Sequence, residues 1–121
     1  VAPDARQDRE TAAKRGLVGK AEADAEEARR AAAGEYAALA NDARRLQERI
    51  DRLQAAVVEP LKQRTAATLA AYRSNQANLV MVFEPRRVAV EAQRKVLNLR
   101  RDLAKVQAQL IFRPIAQGAV Q

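Results

Sequence analysis

The sequence predicts an all-α protein built as one long antiparallel two-helix coiled-coil hairpin. Aromatic residues make up 3% of the 121 residues, and glycine and proline occur four times each, a composition that fits neither a β-sandwich nor a β-barrel. Two stretches repeat apolar residues at alternating steps of three and four, which is the heptad seam of a coiled coil. The two seams mirror each other along the chain, as two helices folded about one point require.

The mirrored seams locate the fold. Paired in reverse order, the residue numbers of each pair add up to 145 or 146, and half of that total places the turn at Arg73. The first seam consists of Tyr36, Leu39, Ala43, Leu46, Ile50, Leu53 and Val57, and the second consists of Ala89, Ala92, Val96, Leu99, Leu103, Val106 and Leu110.

The first helix is predicted to run from about residue 8 to residue 72. Pro60 lies inside it and should kink it, because proline has no backbone N–H to donate and its ring crowds the preceding turn. The alternative is a three-helix bundle broken at Pro60. We favour the kinked hairpin, since the mirrored seams cross this region without losing register.

The tip of the hairpin is predicted at residues 73–78. Asn75 tolerates the left-handed conformation that ends a helix, and Asn78 or Ser74 can cap the next helix. That second helix is expected over residues 79–112, with Pro85 either starting its regular part or bending it. Residues 113–121 are expected to form a frayed tail of this single helical domain.

Apolar residues outside the seams predict that the hairpin associates with itself. Alanines lie on every face between Ala21 and Ala43, and leucines and valines also occur off the strict seam. A lone hairpin would leave these side chains exposed, and large exposed apolar patches usually have a partner. We therefore expect a dimer or trimer with hairpins side by side.

The net charge of +7 does not by itself indicate a nucleic-acid binder. Residues 1–73 carry 14 basic and 12 acidic groups, whereas the remainder carries 8 and 3. Basic and acidic residues are thus interleaved in the first half, and the excess of basic residues is spread along the second. This favours a solvated helix surface, and no nucleic-acid partner is expected.

Enzymatic and metal chemistry find little support. The chain has no His or Cys and only one Met, so it lacks the usual ligands of softer metals and the usual nucleophile–base pairs. Residues 16–20, which read GLVGK, imitate half of a phosphate-binding loop, but no strand precedes them. We expect no enzyme, no cofactor and no metal site. No apolar run approaches the ~20 residues of a transmembrane helix.

The residues around the predicted tip follow a recognisable order. They are Ala71, Tyr72, Arg73, Ser74 and Asn75, then Leu79, Val82 and Phe83, then Arg86 and Arg87. This order resembles that of TolC-type outer-membrane efflux proteins, most closely their heavy-metal, CzcC/CusC-like branch. In that family a long helix ends in Ala-Tyr-Arg, one further residue and Gly, and apolar positions, a basic pair and a returning Leu-rich helix follow.

The resemblance covers residues 6–112 and has two local departures. Residues 6–10, RQDRE, resemble the start of the family's long helix, and residues 57–60, VVEP, resemble its Leu-Leu-Pro. Asn75 replaces the usual glycine, and Pro85 stands where the family prefers alanine. A complete family member has two repeats and barrel strands, so we expect this chain to be part of a larger protein or a truncated relative.

The resemblance implies transport across the envelope of a Gram-negative bacterium. Such proteins form a tube through the periplasm below the outer membrane, and their hairpin tips meet a membrane-fusion adaptor and an inner-membrane pump of a metal or drug exporter. The alternative is a free-standing coiled-coil interaction module. By resemblance, the adaptor-docking tip is Tyr72, Arg73, Ser74, Asn75, Leu79, Val82 and Phe83, and polar contacts between adjacent hairpins come from Glu84, Arg86 and Arg87.

Overall fold

The computed structural model describes the backbone of residues 3–120 and the side chains of residues 4–113. Every element in this range is helical. The chain forms α1 (Pro3–Leu53), a short π-helix (Gln54–Val58), α2 (Glu59–Arg73) and α3 (Leu79–Val120). The predicted all-α hairpin is confirmed. Its first arm begins earlier than residue 8, and α3 continues past residue 112, where a frayed tail was expected.

The chain divides into two compact units, residues 1–38 and residues 39–121. Within the described part of the first unit almost every side chain is exposed, and α1 is held by local contacts, such as the hydrogen bond of 2.8 Å from Thr11 Oγ1 to the Gln7 carbonyl oxygen. Glu26 accepts from both Arg29 and Arg30 one turn later. Tyr36, a predicted seam residue in this unit, is 47% exposed.

The second unit contains the hairpin and its apolar core. The predicted partners Ile50 and Val96 lie in one buried cluster. Leu99 belongs to the same cluster, and its predicted partner Leu46 packs against it. No polar side chain is buried among residues 4–113. Apolar burial therefore holds the arms together. The cluster comprises Ile50, Val58, Ala92, Val96, Leu99 and Leu103, with Ala43, Leu46, Leu53 and Leu61 packed against it.

The π-helix corrects the predicted register on one arm. Val58 is 1% exposed, whereas the predicted seam residue Val57 is 36% exposed. In a π-helix each N–H reaches a carbonyl five residues back, and here the N–H of Glu59 donates to the carbonyl oxygen of Gln54. The turn holds one extra residue, so Val58 takes the buried position that a regular α-helix would give to Val57.

Pro60 does not break the arm. The flanking residues Leu53, Val58 and Glu59 all keep right-handed helical angles, and Pro60 falls in the first turn of α2. Its missing N–H is tolerated there. The wider π turn lies where the proline ring would otherwise meet the carbonyl group of Ala56, four residues earlier. The three-helix alternative is therefore wrong.

Candidate functional site at the hairpin tip

The turn between α2 and α3 is ordered by backbone hydrogen bonds. Asn75 has a φ of +58°, and it is the only residue other than glycine with a positive φ in the described part of the chain. The N–H of Gln76 donates to the Ala71 carbonyl at 2.8 Å, and the N–H of Asn75 donates to the Tyr72 carbonyl at 3.1 Å. This pair of bonds is the Schellman motif, which ends a helix and satisfies its last carbonyls.

Side chains complete both helix ends at the tip. Ser74 Oγ donates to the carbonyl oxygen of Ala70 at 3.0 Å. Asn78 Oδ1 accepts from the N–H of Met81 at 3.0 Å, which makes Asn78 the N-cap of α3. Arg73 is the last residue of α2, where a positive charge interacts favourably with the helix dipole. Of the two predicted caps, Asn78 therefore caps α3, and Ser74 binds back to α2.

The apolar residues of the tip divide into a buried and an exposed group. Val82 is 6% exposed, whereas Phe83 is 57% exposed and Leu79 is also exposed. Val82 was predicted to dock a partner, and its burial within the hairpin removes it from that surface. Val80 and Met81 are exposed beside the predicted residues. The sequence prediction did not include these two residues in the tip surface. The seam spacing could have indicated their exposure, because neither residue lies on the line of Val82, Ala89 and Val96.

Three charged side chains on α3 form a chain of ion pairs next to Phe83. The Arg87 guanidinium donates to Glu84 at 2.6 Å and to Glu91 at 3.0 Å. The hydrogen bond from Arg87 and its positive charge lower the pKa of the Glu84 carboxyl below its ordinary value of 4.5. Glu84 and Arg87, predicted to link adjacent hairpins, are thus paired within one helix. Among the described residues Arg86 makes no ion pair.

The tip has an open groove between the two arms but no site for a bound metal. Tyr72, in the last turn of α2, is 39% exposed. Residues 4–113 contain no group of three or more His, Cys, Asp or Glu side chains placed to hold a metal ion. No described helix is long and apolar enough to cross a membrane. The groove is lined by Arg64, Ala67, Thr68, Ala71, Ala77, Met81, Glu84 and Pro85.

Comparison of the chain with protein-family models, with curated proteins and with solved structures finds no match. The tip combines exposed apolar side chains, a pair of ion-paired carboxylates and a turn held by backbone hydrogen bonds.

Proposed function

We propose that this chain is the periplasmic helical hairpin of an outer-membrane efflux channel protein, and that its tip docks a membrane-fusion adaptor of a tripartite metal or drug exporter. One observation carries the proposal. The backbone of Asn75 is left-handed at the position where the resembled family has glycine, the residue that adopts this conformation most readily. The sequence pattern and the backbone geometry thus agree at the same residue.

The exposed residues of the tip support a docking role. Phe83 and Leu79 lie in the first two turns of α3, 57% and 45% exposed, next to the capped turn. An aromatic side chain held on a regular helix loses little conformational entropy on binding, and such residues commonly dominate interface energetics. Phe83 is the residue we expect to contribute most to adaptor binding, because it is the largest exposed apolar side chain at the tip.

A resistance assay in the host tests this function. The gene encoding the chain is deleted, and resistance to a panel of metal ions and drugs is measured. The deletion is then complemented with the wild-type gene, with Phe83→Asp, with Phe83→Leu, and with Leu17→Asp as a control. Leu17 is an exposed apolar residue in the first unit. We expect wild type, Phe83→Leu and Leu17→Asp to restore resistance and Phe83→Asp to fail, since burying an unpaired carboxylate at an interface is costly.

Thermal unfolding of the purified chain separates docking from folding. Because Phe83 is largely exposed, Phe83→Asp should leave the melting temperature unchanged. A clear fall in melting temperature would place Phe83 in a closed tip core, and full resistance with Phe83→Asp would contradict docking. Unaltered resistance after gene deletion would favour a free-standing coiled-coil interaction module.

A further inference from the structure

A line of exposed apolar residues runs along α3 outside the hairpin core. Each member follows a residue of the buried line by one, and is therefore turned by about 100° around the helix. Leu97 is 61% exposed and Ile111 is 63% exposed. Spacing of seven residues keeps such residues on one line, here about 32 Å long at the usual rise per residue. We call this line the outer stripe; it consists of Val90, Leu97, Ala104 and Ile111.

Arginines flank the outer stripe on both sides. Arg86, Arg94 and Arg100 are exposed, and none makes an ion pair among the described residues. The stripe is one residue wide in its first half, because the positions three and four residues after Val90 and after Leu97 are Arg or Gln. A membrane-surface helix needs a broad apolar face, whereas a narrow line with charged flanks fits the seam of a second helix. The partner should be an acidic helix.

The first unit of the same sequence has a complementary surface on α1. Small residues recur there at steps of three and four, and Glu22 and Asp24 lie beside them, exposed and without an ion pair among the described residues. Residues 21–28 hold four acidic residues and no basic residue. We call the small residues the alanine ridge; they are Val18, Ala21, Ala25, Ala28 and Ala32.

We propose that two copies of this chain associate by packing the outer stripe of one copy against the alanine ridge of the other. Alanines allow close approach of the two helices, so that Val90 and Leu97 fill the space above them. The stem of Arg94, near the middle of the contact, extends over the alanines and carries its guanidinium group to Glu22 or Asp24. The inference does not depend on the proposed transport function.

Charge reversal with mutual rescue tests the contact. The stripe variant is Arg86→Glu, Arg94→Glu and Arg100→Glu, and the ridge variant is Glu22→Lys and Asp24→Lys. The control variant is Arg45→Glu, Arg49→Glu and Arg52→Glu on α1, which makes the same change of net charge at exposed residues away from both surfaces. Far-UV circular dichroism verifies that each variant is helical.

Sedimentation equilibrium at low salt measures association. Wild type and control should self-associate, and stripe and ridge variants should each bind themselves about tenfold or more weakly. Mixing the stripe and ridge variants should restore association, because opposite charges then face each other again. High salt should weaken wild-type association.

Four results would overturn the proposal. The first three are a monomeric wild type at high micromolar concentration, an equal loss of association in the control variant, and no restoration on mixing. If a charge-reversed variant loses helix, Leu97→Gln takes its place in the measurement. The fourth result is normal association of a helical Leu97→Gln variant. If wild type stays monomeric but binds vesicles of phosphatidylglycerol and phosphatidylcholine, and the stripe variant does not, the stripe is a membrane surface instead.

Discussion

At the residue scale, the turn of the hairpin depends on the backbone of Asn75. A positive φ costs most L-residues roughly 1–2 kcal/mol, because the β-carbon approaches the carbonyl oxygen that follows. Asparagine adopts this conformation more readily than other non-glycine residues, and here it lets two N–H groups reach back to α2. The left-handed backbone at position 75 therefore favours asparagine or glycine over other residues, and substitution tests this preference.

Asn75→Ala should lower the free energy of unfolding by about 1 kcal/mol, whereas Asn75→Gly should change it by less than about 0.5 kcal/mol. Urea unfolding followed by circular dichroism measures both. Asn98, exposed in the middle of α3, is the matched control. Asn98→Ala should be slightly stabilising, because alanine is the better helix former. An Asn75→Ala variant as stable as Asn98→Ala would show that the turn does not require the left-handed conformation.

The Glu84–Arg87 pair predicts a pH effect with a defined sign. The folded-state pKa of Glu84 is lowered, so the stabilisation by this pair is present above the ordinary pKa of 4.5 and is lost as the pH falls through the lowered value. An NMR titration should give the Glu84 carboxyl a pKa below 4.5. Arg87→Gln should return this pKa towards 4.5. Arg86→Gln should leave the pKa lowered, since the hydrogen bond to Glu84 comes from Arg87. An unshifted wild-type carboxyl would contradict the pairing.

At the element scale, the π-helix explains where prediction from sequence succeeded and where it did not. The mirrored seams locate the turn because heptad spacing is a property of the residues themselves. The same spacing cannot tell whether Val57 or Val58 is buried, because two adjacent valines satisfy either register. The π turn of the backbone determines which one is buried. Likewise the apolar run at residues 79–83 predicts a cluster at the tip, but burial of Val82 and exposure of Phe83 depend on how α3 packs.

In a Pro60→Ala background, where no proline ring meets the Ala56 carbonyl, deletion of Ala55 should be tolerated, because it removes the extra residue of the π-helix. Val58 would then lie four residues after Leu53, on the buried face of a regular α-helix. Deletion of Ala67 is the control: α2 is already regular there, so the deletion rotates the following residues by about 100° and moves the half-buried Leu69 off the interface. Thermal unfolding should show little change for the first and a loss of about 1–2 kcal/mol for the second. Equal losses would contradict the register assignment.

At the scale of the whole molecule, the hairpin has a core one seam wide and no buried polar side chain among residues 4–113. Such a core favours pairing of the arms but specifies register only through the shapes of its apolar residues. Ile50 and Val96 in one cluster, with Leu46 packed against the cluster that contains Leu99, fix the antiparallel register described here. A one-heptad slip would preserve the apolar pattern but would separate these residues, so the distance between them distinguishes the two registers.

Engineered cysteines test this distance, because the chain has none of its own. A disulfide forms only when the two Cα atoms lie within about 7 Å. Leu46→Cys with Leu99→Cys should therefore crosslink under mild oxidation. Leu46→Cys with Val106→Cys should not, since Val106 lies about 10 Å further along α3, one heptad away. Mass spectrometry and non-reducing gels distinguish a bond within one chain from a bond between exchanged arms, and either satisfies the register. Efficient crosslinking of the second pair alone would mean that the arms are slipped by one heptad.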